Sequence, residues 1–355
     1  MPEAAACTKI KNNHKRLECF DRLYAEAAAE KPADNITAAV SQPEENTEKS
    51  VLDLEQTYLV SKENRSPQLV FAEKVFPPSP QDITPLSKLY DLDENSADGL
   101  LSIREHNPMY IMPAWYNSSP NYRPYSPTRG TADNPAQKQQ KRLETKMQIS
   151  FKTKLMEDVF KTRADLWFGY TQQSNWQIYN QGNKSAPFRN TDYAPELFLT
   201  QPVKADLPFG GKLRMLGAGI VHQSNGQSRP LSRSWNRAYV TAGIEWKKLS
   251  IMPRWWLRLD KKGEDDDNPD IGRYMGYGDL KLAYRFNDRQ SLTSTLRYNP
   301  RRGRGAVQVD YAFPIKGKLK AYVQGFHGYG ENLIDYNHKQ TGLGIGLMLQ
   351  DWDGI

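Results

Sequence analysis

The sequence predicts an all-β protein, a 12-stranded antiparallel β-barrel that spans a membrane and carries a polar N-terminal extension. Two observations lead to this prediction. Apolar and polar residues alternate with a period of two over most of the chain after residue 100. The mean hydropathy is −0.76, and no window offers about 18 consecutive apolar residues, which excludes a bundle of membrane-spanning helices. A barrel remains compatible with this value, because only every second residue of its strands faces lipid.

Residues 1–100 are expected to form the extension, and residues 101–355 the barrel domain. Apolar residues recur at helical spacing around Cys19, which predicts a short amphipathic helix there. From Lys31 to about Asn95 the chain is rich in Glu, Asp, Ser and Pro, a composition typical of a mobile, solvent-exposed segment. The first residues lack a basic start and an apolar stretch, so we expect no signal peptide in this chain.

Composition excludes some function classes and leaves one question open. The excess of basic over acidic residues is 48 − 41 = 7 and is spread along the chain, so we expect no nucleic-acid partner. Two cysteines, Cys7 and Cys19, are too few for a zinc site. They are either inert thiols or, in an oxidising compartment, the ends of one short disulfide-closed loop.

The period-two segments predict the strands in order. The clearest runs from Asn236 to Trp246, where Ala238, Val240 and Ile244 alternate with charged or polar residues. The same pattern recurs in segments containing Met147–Leu155, Pro253–Leu259, Leu280–Phe286, Val307–Phe313 and Leu343–Leu349. Six further strands are predicted to begin near Met109, Ala164, Ala194, Lys212, Leu292 and Leu319. An even total of twelve is what a single-chain bacterial outer-membrane barrel requires.

The repeated charges on the polar face favour a membrane barrel over a soluble one. Arg, Lys, Glu and Asp fill that face, while Trp and Tyr stand near the ends of the apolar face. A charged lumen and an aromatic girdle at the lipid surface give this pattern. A soluble antiparallel barrel, with the polar face in water, is the alternative.

Three polar residues share the face that is expected to meet lipid. His222 and Ser224 continue the parity of Leu216, Ala218 and Ile220, and Asn236 begins the apolar face of the next strand. Two residues apart on one strand, a histidine can act as the base for a serine hydroxyl. An asparagine on the neighbouring strand can hold the other ring nitrogen, although it cannot neutralise an imidazolium as a carboxylate would. The residues predict a Ser-His-Asn triad on the outside of the barrel.

The alternative interpretation is that these residues lie at the solvated rim of the barrel. A histidine near a serine at a strand end is usually such a residue, and the other histidines lack a comparable set of partners in the sequence. Without further motifs, the triad remains one of two interpretations.

The sequence resembles the outer-membrane phospholipase A family of Gram-negative bacteria over about residues 107–351. The segment from His222 to Arg237 is similar to the family's signature, with His, Ser and Asn at matching positions. Further matching segments are Tyr170–Ser174, Ser185–Arg189, Asp267–Asp270, Tyr274–Tyr277 and Gly328–Asn337. The resemblance implies a location in the outer membrane.

The resemblance also implies an activity and a role for each triad residue. Ser224 would be the nucleophile that attacks an acyl ester, His222 the general base and then acid, and Asn236 the residue that orients His222. The enzyme would be a phospholipase A1/A2 that hydrolyses sn-1 and sn-2 esters and lysophospholipids. It would require calcium and become active on dimerisation.

Calcium would assist the oxyanion. The resemblance implies ligands at Ser232 (hydroxyl), Gln227 (backbone carbonyl) and Ser185 of the other subunit, with Asp267 as a ligand in the monomer. The backbone N–H of Asn225 is expected to donate to the oxyanion, with a calcium-polarised water as a second donor. Calcium accepts neutral oxygens and water of this kind.

The resemblance extends to a homodimer interface. Gln172 shares the parity of Phe168 and Tyr170, and a bare amide in hydrocarbon is costly, so we expect it to form hydrogen bonds across the dimer. By the same resemblance, the apolar part of the interface would be Ile111, Ile149, Phe151 and Leu349.

Two positions depart from the family pattern. Arg229 stands where the family often has an acidic residue, and a cation there would weaken a secondary calcium site. The chain ends in Asp351–Ile355 without the terminal aromatic residue usual in outer-membrane barrels.

The competing function is a non-enzymatic barrel, either a structural protein or a narrow pore. An inert barrel has no reason to place His222, Ser224 and Asn236 together on its lipid face. The discriminating feature is therefore the integrity of this set.

Overall fold

The computed structural model describes Lys15 and residues 68–69, 84–93, 99–133, 139–180, 187–260, 263–287, 289–317 and 319–350. All of these except Lys15 belong to one compact unit that begins at Asn64. Cys7, Cys19, the helix predicted around Cys19, and Ser185 lie outside the described residues.

Twelve strands form a closed antiparallel barrel, as predicted. They are β1 Met109–Asn117, β2 Leu143–Val159, β3 Ala164–Trp176, β4 Phe188–Leu207, β5 Gly211–Ser224, β6 Ser234–Trp246, β7 Leu249–Arg258, β8 Gly278–Asn287, β9 Gln290–Asn299, β10 Arg304–Lys316, β11 Leu319–Tyr329 and β12 Lys339–Gln350. Each strand pairs with the next along the chain, and β12 pairs with β1 to close the barrel. Closure leaves none of the twelve with an open edge.

The two faces of the barrel have opposite polarity. Apolar side chains on the outside are largely exposed, for example Leu257 at 73% and Leu349 at 65%. The side chains of Lys146, Lys152 and Lys154 point inward and are buried. This distribution is the reverse of a soluble barrel, whose charged groups face water, and it matches a barrel surrounded by lipid.

Connections differ in length between the two ends of the barrel. At one end, here the loop end, residues 118–142, 225–233, 259–277 and 330–338 connect the strands. At the other, the turn end, residues 247–248 and 288–289 suffice. Outer-membrane barrels have long loops at one end and short turns at the other, and this barrel shows the same difference.

A short helix, α1 (Pro85–Tyr90), fills the barrel interior at the turn end. Leu86 and Leu89 are buried, in one cluster with Trp167 and Met215 of the barrel wall. The Leu86 N–H donates to Glu245 Oε1 at 2.9 Å. No helix in the described ranges is long and apolar enough to cross a membrane.

The position of residues 84–93 corrects the prediction of a solvent-exposed segment that reaches Asn95. Asp91 accepts from Lys154 Nζ at 2.7 Å, and Asp93 pairs with Arg214 at 2.6 Å. The polar residues of this segment therefore pair with charged side chains of the lumen rather than with water. Further upstream, Gln68–Leu69 pairs with the turn end of β4.

Charged side chains at the loop end form a second buried cluster. Arg189 donates twice to Glu144, at 3.0 Å each, and to Asp335 at 2.7 Å. Lys146 pairs with Glu331 at 2.7 Å. Asp335 and Glu331 lie in the 330–338 connection, which therefore folds into the mouth of the barrel.

Candidate active site

The pairing of β5 with β6 brings the three predicted catalytic residues together. His222 lies opposite Asn236 in the register, and Ser224 lies opposite Ser234. His222 Nδ1 and Asn236 Oδ1 are 2.8 Å apart, so the ring donates its Nδ1–H to the amide oxygen. This bond leaves Nε2 of the imidazole unprotonated and able to act as a base. Both side chains are exposed on the outer face.

Ser224 ends β5 two residues after His222, on the same face. Its side chain is half-buried, and within the described part of the chain its hydroxyl has no hydrogen-bond partner. In free enzymes the bond between base and nucleophile is often long and tightens only with substrate. The arrangement can therefore support proton transfer from the serine hydroxyl to Nε2.

The loop that follows Ser224 corrects the predicted oxyanion donor. The Asn225 N–H already donates to the Arg233 carbonyl oxygen at 3.0 Å, so it is committed to the loop. The next residue, Gly226, has φ +60°, and its N–H donates to no acceptor among the described residues. Gly226 therefore supplies the free N–H closest in sequence to the serine.

Asn225 has a structural role in the same loop. Its Oδ1 accepts from the Arg233 N–H at 2.9 Å and from the Gln227 N–H at 3.3 Å. Its Nδ2 donates to the Leu231 carbonyl oxygen at 2.9 Å. These bonds fix the backbone between the serine and the candidate calcium ligands.

Two of the candidate calcium ligands meet directly. Ser232 Oγ donates to Asp267 Oδ2 at 2.6 Å. The Gln227 carbonyl accepts no hydrogen bond within the described ranges, while its side chain donates to the Arg189 carbonyl oxygen at 3.2 Å. Hydroxyl, carboxylate and carbonyl oxygens are the donors calcium prefers, so this set fits the ion.

A cation already faces Asp267. Arg129 Nε donates to Asp267 Oδ1 at 2.7 Å, and its other nitrogens donate to the carbonyl oxygens of Glu264 and Asp265. Burial opposes ionisation of Asp267, but hydrogen bonds from Ser232 and Arg129 outweigh it and hold the pKa of this carboxyl below its usual range.

Arg129 belongs to a short hairpin, Tyr125–Ser126 paired with Gly130–Thr131, that docks on the 263–270 segment. Arg129 and Asp267 are 138 residues apart in sequence, and nothing in the local pattern connects them. Arg229, the suspected interfering cation, instead pairs with the exposed Asp265 at 3.2 Å.

A groove of about 750 Å³ lies beside the triad on the outer face. Apolar side chains of β3, β4 and β5 line one side, among them Phe168, Leu197 and Ile220. Its other side is polar and contains His222 and Asn236. A groove with one apolar wall and a polar wall that contains His222 and Asn236 can receive the chain and the carbonyl group of an acyl ester.

The residues expected at the dimer interface lie on neighbouring strands. Ile111 of β1, Leu349 of β12 and Ile149 of β2 are exposed on the outer face. Gln172 of β3 lies opposite Ile149, and Tyr193 of β4 lies between Gln172 and Ser224 in the register. Neighbouring strands are about 4.8 Å apart. The predicted interface thus borders the triad.

Within the monomer, Gln172 is already hydrogen-bonded in part. Its Oε1 accepts from the Tyr170 hydroxyl at 2.9 Å, and its Nε2 lies 3.5 Å from Ser174 Oγ. Phe151 stacks obliquely against the same Tyr170, with ring centroids 5.6 Å apart.

His106 has a partner that its sequence surroundings did not reveal. Its Nε2 lies 2.6 Å from Glu196 Oε1, and Glu196 Oε2 accepts from the Tyr239 hydroxyl at 2.5 Å. This buried trio lines a cavity on the lumen side of the barrel wall. Glu196 is 90 residues from His106, which explains why spacing alone did not connect them.

The sequence profile of the phospholipase A1 family matches residues 86–349 of the chain. The chain belongs to this family. It is therefore a phospholipase in an outer-membrane β-barrel, and the alternative of a non-enzymatic barrel is set aside. The match begins within α1, which places the turn-end helix inside the family's matched region.

Relatives and solved structures agree with this membership. A putative phospholipase A1 from Neisseria meningitidis serogroup B is 60% identical over 361 residues, covering 99% of this chain and 92% of that protein. The Escherichia coli outer membrane phospholipase A, solved as an active-site mutant with asparagine replaced by alanine, is 32% identical, with a TM-score of 0.66 over 76% of this chain and 98% of that one. A dimer of the Salmonella typhi outer membrane phospholipase with bound calcium is 31% identical, with a TM-score of 0.66 and the same coverage.

Proposed function

We propose that the chain hydrolyses phospholipid acyl esters by a lipid-facing triad of Ser224, His222 and Asn236. The observation that carries the proposal is the 2.8 Å bond between His222 Nδ1 and Asn236 Oδ1. This bond leaves Nε2 unprotonated and able to act as a base for Ser224. The substitution of an active-site asparagine in the E. coli protein supports the role of Asn236. We further propose cleavage of both sn-1 and sn-2 esters and of lysophospholipids.

In this mechanism Ser224 Oγ attacks the ester carbonyl while His222 Nε2 takes the hydroxyl proton. His222 then returns the proton to the leaving alcohol, and a water repeats the cycle on the acyl-enzyme. Asn236 holds the ring in the tautomer that both steps require. The Gly226 N–H is the backbone donor for the oxyanion in place of Asn225.

We propose calcium as the cofactor, held in the dimer by Ser232 Oγ and the Gln227 carbonyl of one subunit and by Ser185 of the other, with Asp267 as a ligand in the monomer. When bound, the ion would add positive charge next to the oxyanion. The solved calcium-bound Salmonella typhi structure supports this assignment. Binding at Asp267 has to displace Arg129 or share the carboxylate with it.

The active form is proposed to be a homodimer that joins through Ile111, Ile149, Phe151, Leu349 and Gln172. The second subunit would extend the acyl-chain groove and supply Ser185. Since the predicted interface borders Ser224 in the register, dimerisation can complete the site without a change of fold.

The test is fatty-acid release from phospholipid in detergent micelles containing calcium. Ser224→Ala and removal of calcium with EDTA should each reduce release by at least about 1,000-fold. The substitution removes the nucleophile, and EDTA removes the positive charge that stabilises the oxyanion. Ser228→Ala, an exposed serine in the following loop, is the matched control and should retain full activity. Undiminished release by Ser224→Ala would refute the nucleophile assignment.

A further inference from the structure

A carboxylate outside the triad holds Asn236 on the side away from His222. Asp260 Oδ1 accepts from Asn236 Nδ2 at 2.6 Å, and both carboxylate oxygens accept from the Asn236 N–H at 3.0 Å. The Asp260 side chain is only 15% exposed. The backbone contributes as well, because the Leu259 N–H donates to the Asn236 carbonyl oxygen at 2.9 Å.

An asparagine by itself does not decide which of its two ends meets the histidine. The amide presents an acceptor on one side and donors on the other, and its rotation by a half-turn exchanges them. With Nδ2 toward His222, two donors would face each other and the ring would lose its partner. A carboxylate accepts hydrogen bonds and cannot donate them, so Asp260 selects the orientation in which Oδ1 faces His222.

The carboxylate also strengthens the bond that it selects. A hydrogen bond donated to a charged acceptor polarises the amide and makes its oxygen a better acceptor. Arg258 Nε donates to Asp260 Oδ2 at 2.8 Å and offsets part of the negative charge.

Arg258 connects this contact to the candidate calcium loop. Its Nη2 donates to Asp266 Oδ1 at 2.6 Å, and its Nη1 donates to the Asn268 carbonyl oxygen at 3.1 Å. Arg258 thus joins Asp260 to Asp266 and Asn268, the residues on either side of Asp267.

We infer that Asp260 is a positioning residue of the catalytic site, which fixes the amide of Asn236 and, through it, the tautomer of His222. The inference rests on the proposed triad. Asp260 hydrogen-bonds Asn236 and Arg258, one step removed from His222 and Ser224, so its removal should lower kcat and leave KM nearly unchanged.

The test exchanges the two side chains. Asp260→Asn removes the acceptor-only partner, and we expect kcat to fall about 10-fold with KM changed less than about twofold. Asn236→Asp places two carboxylates in contact and should lower kcat further. In the double variant, which combines Asn236→Asp with Asp260→Asn, the new amide at position 260 donates to the new carboxylate at position 236. The second oxygen of that carboxylate accepts from His222, so kcat should rise above that of either single variant.

A higher kcat in the double variant than in either single variant indicates a positioning role. If Asp260 had only a structural role, the losses of kcat in the two single variants would add in the double variant. Asp206→Asn, an exposed carboxylate at the turn end of β4, is the matched control and should keep the original kcat. Full activity of Asp260→Asn, or a double variant below both singles, would overturn the inference. Ser224→Ala, measured in parallel, distinguishes this failure from that of the triad, because an active Ser224→Ala would refute the proposed function itself.

Discussion

At the residue scale, the triad is built from the geometry of a strand. Two residues along a strand return to the same face, and the antiparallel register sets His222 directly opposite Asn236. The neutral amide can orient the ring, but only the surroundings can stabilise the imidazolium that forms in the reaction. A single substitution of Asn236 removes the 2.8 Å contact between the two side chains and so tests its role.

Replacing Asn236 by alanine should lower kcat by about 10- to 100-fold, since the loss of one hydrogen bond to a group that becomes charged costs about 1.5–3 kcal/mol. The fold should persist, because Asn236 is exposed. Initial rates on micellar phospholipid measure the effect. Thr341→Ala removes the hydroxyl that contacts His327 Nδ1 at 2.7 Å and is the control for an exposed histidine contact elsewhere on the barrel. Equal losses in both variants would contradict a specific role for Asn236.

At the element scale, glycines on the inner face of β12 make room for an aromatic ring of β1. A Cβ on Gly344 would lie 2.6 Å from Trp115 Cε3, which is closer than atoms in contact can approach. The Trp115 ring also covers Lys146 Nζ, 4.4 Å from the ring centroid. The alternation of glycine with outward Leu343, Ile345 and Leu347 therefore has a packing cause.

Gly344→Ala should destabilise the barrel by about 1–3 kcal/mol, the usual cost of overpacking a filled interior. Denaturant unfolding in micelles measures the free energy. Trp115→Phe in the same chain should recover part of the loss, because the smaller ring vacates the space. Gly99→Ala is the control, since no atom lies within 4 Å of its added Cβ. A Gly344→Ala barrel as stable as the original would contradict the packing argument.

The hairpin that carries Arg129 is a second element with a measurable role. Its ion pair with Asp267 competes with any metal at that carboxylate. Arg129→Gln should therefore tighten calcium binding by about 10-fold, equivalent to about 1.4 kcal/mol. Titration calorimetry of the solubilised protein measures the affinity without reference to turnover.

Arg229→Gln is the control for this prediction. It removes an exposed cation of the same region that pairs with Asp265 rather than with Asp267. A smaller change than that of Arg129→Gln is expected. Unchanged or weaker binding in Arg129→Gln would argue against Asp267 as a ligand.

At the scale of the whole molecule, the lumen is a polar core that is occupied at both ends. Residues 84–93 fill the turn end, and residues 330–338 fill the loop end. A cavity of about 250 Å³ remains between them, lined largely by polar and charged side chains. The buried charges of the loop-end cluster are stable because they are paired, and removal of one partner leaves the others buried without a counter-charge.

Arg189→Met should destabilise the barrel by about 3–5 kcal/mol, because Glu144 and Asp335 would remain buried without their cation. Arg229→Met breaks an exposed pair and should cost less than about 1 kcal/mol. Denaturant midpoints of the two variants in identical micelles give the comparison. Equal midpoints would contradict a structural role for the cluster.

Several segments that resembled the family's motifs prove to build this core. Arg189, Glu331 and Asp335 belong to those segments, and all three have buried side chains in the loop-end cluster. In this structure these three residues pair electrostatically inside the barrel.

The sequence by itself determined the strands, their faces and the pattern of the triad. Period two is a local property, so the alternation around Asn236 was enough to place its outer face, and the His222–Ser224 spacing was enough to pair them. Parity alone would place Asp260 on the inner face with Arg254 and Arg258, whereas its carboxylate contacts Asn236 of the outer face. β7 ends at Arg258, and beyond a strand's end parity no longer fixes direction.

Only the tertiary structure decided which distant residues meet. The contacts of Asp260 with Asn236, Arg129 with Asp267, and Asp91 with Lys154 join separate segments, and the last brings the supposed extension into the lumen. Closure of the barrel creates an interior of low dielectric in which each charge must find a partner wherever the chain supplies one. That requirement is global, and no local pattern contains it.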